Sequence, residues 1–234
     1  MSSPGGTRDA LLVDLAGESV RTLNQRLHDA REPLRVRVVN PGGAHSIAVG
    51  LDVAHDVEIV GHVGYYCAGM NELATMRVRG NAGVGLAENM MSGTVVVEGS
   101  ASQAAAASAR GGLIAVHGNA SARCAISLKG ASIVVRGSVG HMSAFMAQSG
   151  TLVVCGDAGE ALGDSLYEAR LYVRGKVASL GADCIEKEMR SEHAAQLAGL
   201  LRDADIDDLD TGDFRRYGSA RALYRFHVDN VGAY

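Results

Sequence analysis

The amino-acid sequence predicts an all-β solenoid, a parallel β-helix of about seven to eight 19-residue rungs. The first observation behind this is a repeat. One pattern recurs at nineteen-residue intervals: VEIVGHVG from 57, MRVRGNAG from 76, VVVEGSAS from 95, IAVHGNAS from 114, IVVRGSVG from 133, LVVCGDAG from 152 and LYVRGKVA from 171. The second is alternation. Positions one and three of each copy are apolar, the period of two expected of a strand with one buried face. The third is a glycine at position five of every copy: Gly61, Gly80, Gly99, Gly118, Gly137, Gly156 and Gly175. A unit with one short strand cannot bury its apolar face alone, so successive copies must stack.

Residues 1–37 read as an N-terminal cap. The strand-like LLVDL is followed by GESVRTLNQRLHDA, which places Val20, Leu23 and Leu27 on one helical face. The β-helix then occupies 38–185, beginning with an incomplete copy from Val38 in which Gly42 is in register. Strands stacked about 4.8 Å apart make seven rungs a column roughly 34 Å long. The glycine at each corner provides positive φ or lets neighbouring backbones approach without a Cβ between them. Small residues at positions seven, eight and twelve suit a narrow interior. Residues 186–234 form a C-terminal helix and tail, with Met189, His193, Leu197, Leu200 and Leu201 at helical spacing. Helical caps at both ends would cover the open strand edges. The last stretch, ARALYRFHVDNVGAY, either folds back on the column or inserts into a partner.

Composition narrows the function. The 234 residues are 47% hydrophobic and 21% charged, enough to bury a core. Formal charge is −4 and the 22 basic residues are dispersed, so the footprint of a nucleic-acid binder is missing. There is no run of eighteen apolar residues and no basic segment leading into an apolar one at the start, so the expected location is cytoplasmic. With 30 Gly, no Trp and three Phe, the core is expected to consist of small and branched aliphatic residues.

No catalytic, cofactor-binding or metal-binding constellation is expected on this chain. VRGNAGVGLA has the spacing G-x-x-G-x-G rather than that of a dinucleotide loop, and no helical pattern follows it. Cys67 and Cys124 share position eleven three rungs apart, roughly 14 Å, too far for a disulfide. Cys155 and Cys184 fall in other columns, no C-x-x-C occurs, and all four read as reduced, mostly packing residues. His62, His117 and His141 stand on different rungs and columns. DADIDDLDTGDF starts like a calcium loop, but has Asp208 where glycine is required and Phe214 where glutamate is required. It reads instead as a solvated acidic turn. No acidic pair lies on adjacent rungs of the outward columns, which argues against a glycosidase.

Position two of the strands should face outward, and there Val96, Ala115, Val134, Val153 and Tyr172 form an apolar stripe on consecutive rungs. A stripe of this length is normally covered, either by the chain's own terminal helices or by another protein chain. Under the second reading Val96, Val134, Val153 and Tyr172 are a partner interface, and Arg136 and Arg174 of the neighbouring column belong to its polar rim. Val134→Glu or Val153→Asp would then weaken assembly and leave the fold intact.

The rung GNAGVGLAENMMSGTVVVEG, with Gly80, Gly83, Met91, Gly93, Val95, Val97 and Gly99, and the earlier NPGGAHSIAVGL resemble the GXGXG domain at the C-terminus of glutamate synthase large subunits. The resemblance covers roughly residues 15–185 and implies a right-handed β-helix. Among stand-alone chains it is similar to the GXGXG-type subunits of N-methylglutamate synthase (methylamine-glutamate N-methyltransferase). That implies a non-catalytic structural subunit, one that bridges a glutamine amidotransferase-like subunit and a synthase-like subunit with FMN and an iron-sulfur cluster. The complex would make N-methylglutamate and ammonia from glutamate and methylamine, with no cofactor on this chain. The alternative is a GXGXG-like subunit of formylmethanofuran dehydrogenase, or of the related formyltransferase/hydrolase complex, which use similar rungs.

Overall fold

The computed structural model describes residues 10–220. Strand β1 (Leu11–Asp14), helix α1 (Val20–Asp29) and strand β2 (Arg35–Val39) open the chain. The repeat follows as β3 (Asp56–Val60), β4 (Thr75–Arg79), β5 (Thr94–Val97), β6 (Leu113–Val116), β7 (Lys129–Val135), β8 (Ser149–Val154) and β9 (Arg170–Val173). After these come β10 (Cys184–Lys187), α2 (Ser191–Asp203), a 3-10 turn (Thr211–Asp213) and β11 (Arg215–Ser219). The strands form one sheet, parallel from β1 to β9. From β3 to β9 position one pairs with position one, Val57 with Met76, Val95 with Ile114 and Leu152 with Leu171. The parallel β-solenoid read from the repeat is therefore the fold.

Alternation decides what is inside. Val57, Ile59, Met76, Val78, Val95, Val97, Ile114, Val116, Ile133 and Val135 are fully buried. Position seven supplies a second wall through a row of parallel bridges from Val63 through Ala82, Ala101, Ala120, Val139 and Ala158 to Val177. Buried alanines at position twelve, Ala68, Ala87, Ala106, Ala125 and Ala144, keep the interior narrow.

The corner glycines act by close approach. Of the seven only Gly61 has positive φ, at 130°. A Cβ on Gly118 would fall 2.7 Å from the Gly99 carbonyl oxygen and 2.5 Å from Ser100 Oγ. Position six explains the second clash. Its side chain crosses this space to accept a hydrogen bond from the position-six N–H of the next rung. His62 accepts from Asn81, Asn81 from Ser100, Ser100 from Asn119, Asn119 from Ser138, Ser138 from Asp157 and Asp157 from Lys176, all at 2.7–3.1 Å. A corner amide that would otherwise lack a partner is thereby satisfied on every rung.

Positions ten to fourteen form a second unusual segment. Ala104, Ala106 and Ser108 all have positive φ, as do Arg123, Ala125 and Ser127 on the next rung and Met142, Ala144 and Met146 on the one after. A non-glycine residue there costs roughly 1–2 kcal/mol. Inter-rung hydrogen bonds hold it: Ala106 N–H donates back to Leu86 O (2.8 Å), while Ala104 and Ser108 donate forward to Ala122 O (3.0 Å) and Ile126 O (2.9 Å). At the first rung no complete copy precedes. There Asn24 of α1 stands in for a peptide group, its Oδ1 accepting from Ala48 N–H (2.9 Å) and its Nδ2 donating to Ser46 O (2.8 Å).

Two expectations require correction. The incomplete copy begins at Val36, not Val38, because Val36 pairs with Val57 and Val38 with Ile59. Two additional residues lie in the turn before Ala44, whose carbonyl meets Gly64 N–H as Val63 O meets Gly83 N–H. Counting from Gly42 conceals this insertion. The C-terminal end is also closed differently. β11 runs antiparallel between β9 and β10, so strands rather than a helix cover the last rung. At the N-terminal end β1 stacks on β2 and α1 buries Leu23 and Leu27 against the core. The tail expected to fold back or enter a partner lies, beyond Ala220, outside the described residues.

Gly118→Ala is expected to lower the unfolding free energy by about 2–3 kcal/mol, because neither the backbone nor the ladder can yield. Gly17→Ala, with nothing within 4 Å of the new methyl group, should stay within about 0.5 kcal/mol. Denaturant unfolding of the two variants measures the difference.

Candidate functional site

The outer face of the sheet is divided. Over β5 to β9 the apolar stripe is covered by the chain itself. Val96, Ala115, Val134, Val153 and Tyr172 pack with Leu197, Leu201, Ala204, Ile206 and Phe214 into a second core. Leu197 and Leu201, four residues apart on α2, project from one helix face. Burying each contributes about 1.5–3 kcal/mol. Val134, Val153 and Tyr172 have no exposed surface and Val96 only 6%. The partner interface expected at these four residues is therefore corrected: the stripe belongs to an intramolecular contact.

The arginine column belongs to it as well. Arg136 makes a two-pronged contact with Asp208 (2.9 and 2.8 Å), and Arg174 Nε lies 3.3 Å from Asp213. Arg77 lies 3.5 Å from Asp205. His117 Nε2 meets Ala204 O at 2.9 Å. Gln196 fastens the start of α2, donating to Thr151 Oγ1 and accepting from the Tyr172 hydroxyl and Arg170. The acidic stretch after α2 is thus a strap that matches the arginine column. Sequence reading treated it as a solvated turn, although the complementary spacing of charges was present. The hydrogen bonds from Arg136 hold the Asp208 carboxyl below its usual range. Solvent screens such exposed pairs, so each contributes little to stability.

Over β2 to β4 the same face is polar. Arg35 pairs with Asp56, Arg37 with Glu58, and Arg79 bridges Glu58 and Glu98, with a shallow groove of about 310 Å³ between them. The Arg79 hydrogen bond lowers the Glu58 carboxyl pKa. Charges in this ladder satisfy one another.

The candidates for nucleophilic chemistry are in unsuitable surroundings. Burial pushes the Cys67 and Cys124 thiols up to about 12 and those of Cys155 and Cys184 up to about 11. A thiol held protonated is a poor nucleophile. His62 begins the corner ladder and His117 anchors the strap, while His141 is an exposed side chain on another rung. Among the described residues no three His, Cys, Asp or Glu side chains are grouped to hold a metal ion. None of their helices is long and apolar enough to cross a membrane.

Large apolar side chains are exposed elsewhere, five of them on the first two complete rungs. Tyr65, Met70, Leu73, Val84 and Met91 are each 38–58% exposed, and the Tyr65 ring stacks on His45 with centroids 4.4 Å apart. Sequence reading missed this face. The available signal was a departure from the repeat: position nine holds Tyr65 and Val84, whereas later copies carry Gln103, Ala122, His141 and Glu160.

No family model matches the chain. It is similar to Protein GlxC of Rhizobium meliloti (strain 1021), with 64% identity over 226 residues that cover 95% of this chain and 99% of the relative.

Two outcomes are expected from the covered stripe. Val134→Glu should destabilise by more than about 3 kcal/mol and release α2, measured by denaturant unfolding and by proteolysis between α2 and β11. The protection of residues 204–214 against hydrogen exchange, relative to the intrinsic rate at each pH, should decrease as pH falls through the depressed Asp208 value, since the pair contributes only while that carboxylate is ionised. Asp208→Asn should remove this pH dependence.

Proposed function

The chain belongs to the Protein GlxC family, and we propose that it is a non-catalytic structural subunit of a heteromeric glutamate-synthase-like complex. Its partners would be a glutamine amidotransferase-like subunit and an FMN and iron-sulfur synthase-like subunit. The reaction of the complex would be that of N-methylglutamate synthase, glutamate and methylamine giving N-methylglutamate and ammonia. The observation that carries the docking role is the exposed apolar set Tyr65, Met70, Leu73, Val84 and Met91 on adjacent rungs of a rigid column. Large apolar side chains left exposed on two neighbouring rungs fit a surface that meets another protein. The resemblance of the rungs to the GXGXG domain supplies the class of complex. Buried, protonated thiols and outer charges engaged with one another fit a scaffold whose chemistry belongs to its partners.

In such a complex the column would fix the distance and orientation between the subunit that releases ammonia and the subunit that consumes it. Inter-rung hydrogen bonds run the length of both the corner ladder and the left-handed segment, which suits a spacer that must not bend.

The test is affinity purification of the tagged full-length chain from its native host. Two partners of the stated kinds, with flavin absorbance and iron in the complex but a colourless isolated chain, are expected. Flavin bound by the isolated chain, or formyl-group chemistry in the purified complex, would overturn the reading. Met70→Asp with Leu73→Asp should reduce partner recovery by about tenfold or more and leave the unfolding temperature unchanged. Both side chains are about half exposed.

A further inference from the structure

Along most of the outer face each arginine meets a carboxylate: Arg35, Arg37, Arg77, Arg79, Arg136 and Arg174 are all ion-paired. The pattern fails at the C-terminal end of the sheet. Arg170 on β9, Lys187 on β10 and Arg216 on β11 form no ion pair among the described residues. The topology places them together. Arg216 is directly opposite Tyr172 on one side and Lys187 on the other, so the three side chains share one face. Arg170 precedes Tyr172 by two residues and so lies on that face too.

Gly218 provides the floor between them. At the point where its Cβ would stand, Lys187 Cγ is 3.5 Å away, Lys187 Cε 3.8 Å and Arg216 Nη1 4.0 Å. Lys187 and Arg216 meet there over backbone that carries no side chain, and Arg170 stands on the same face. Two of them are held in place: Arg216 Nε donates to Glu188 O (2.9 Å) and Arg170 Nη1 to Gln196 Oε1 (3.0 Å). Each guanidinium has five N–H donors, so most remain available. Arg190 adds a fourth positive charge, itself tied to Glu188 and Glu192. Four cations stand against three carboxylates, these two and Glu168 beside Arg170, an excess of one positive charge. Burial, with Arg170 and Arg190 adding to it, disfavours the charged form of Arg216. Beside Arg170 and Gln196 an open polar cleft of about 440 Å³ extends past Ser149 and Thr151, with Glu168 on its wall.

We propose that Arg170, Lys187 and Arg216, which share one face beside Gly218, form a binding site for a small oxyanion, a phosphoryl group or a dicarboxylate. Planar guanidinium forks are suited to such groups because they donate paired hydrogen bonds. The local positive excess favours an anionic ligand. The site is independent of the subunit role, since it lies at the opposite end of the column from the exposed apolar rungs.

The experiment uses the full-length chain with inorganic phosphate and, in a second arm, succinate, each titrated at constant ionic strength against chloride. Calorimetric binding and the unfolding temperature are the readouts. A saturable response to phosphate alone identifies a phosphoryl site, and one to succinate identifies a carboxylate site. Arg216→Gln and Lys187→Gln should each weaken binding by about tenfold, while their unfolding temperatures in chloride stay near that of the parent chain. Arg136→Gln, which alters a cation engaged elsewhere, should bind as the parent does. No saturable response to either anion, or an equal loss in Arg136→Gln and Lys187→Gln, would overturn the proposal. Lys187 makes no side-chain hydrogen bond or ion pair among the described residues, so its variant tests the site even if Arg216→Gln folds poorly.

Discussion

The column depends on the space above each corner glycine. On every rung from Gly99 to Gly175 a Cβ would meet both the backbone of the glycine below and the position-six side chain of that rung, at 2.2–2.9 Å. The side chain occupies the space because it is bonded to the next position-six amide. Glycine and polar residue therefore act as one device. The absence of a Cβ admits the side chain, and the side chain satisfies an amide at a corner where the strand ladder is interrupted. Because the bond reaches exclusively to the neighbouring rung, it also sets the register. A one-residue slip would bring a Cβ against a carbonyl oxygen and leave the amide without its acceptor.

The same economy of hydrogen bonds stabilises a backbone that would be unfavourable in isolation. Alternating left-handed residues direct successive amides up and down the column, so the segment joins each rung to both neighbours. Strain of this kind persists only where the surroundings over-determine it. The first rung has only one neighbouring rung, and Asn24 replaces the missing peptide with both an acceptor and a donor. Helix α1 is thus a cap in the hydrogen-bonding sense as well as an apolar cover.

The proposed docking role rests on what the described residues leave uncovered. Helix α2 and the acidic strap occupy the apolar half of the outer sheet, and the charged half neutralises itself. Among the described residues two sets stand out, exposed apolar side chains on the first complete rungs and cations without an ion pair at the last strands. They lie at opposite ends of a stiff column, the arrangement expected of a part that separates and orients other components.

The rungs, their nineteen-residue period, the inward side chains Val95, Ile114 and Ile133, and the identity of the corner glycines were legible in the sequence, because each is a local consequence of alternation and repetition. The left-handed residues were not legible: alanine, serine and methionine have no intrinsic preference for that conformation, which only the adjacent rungs impose. Nor was the cover over Val134 and Val153. Periodicity reports that a face must be buried, and the hydrophobic effect that buries it is non-directional. Whether α2 or another protein chain does so depended on where the chain returns after β10, which the packing of Leu197, Leu201 and Phe214 decided.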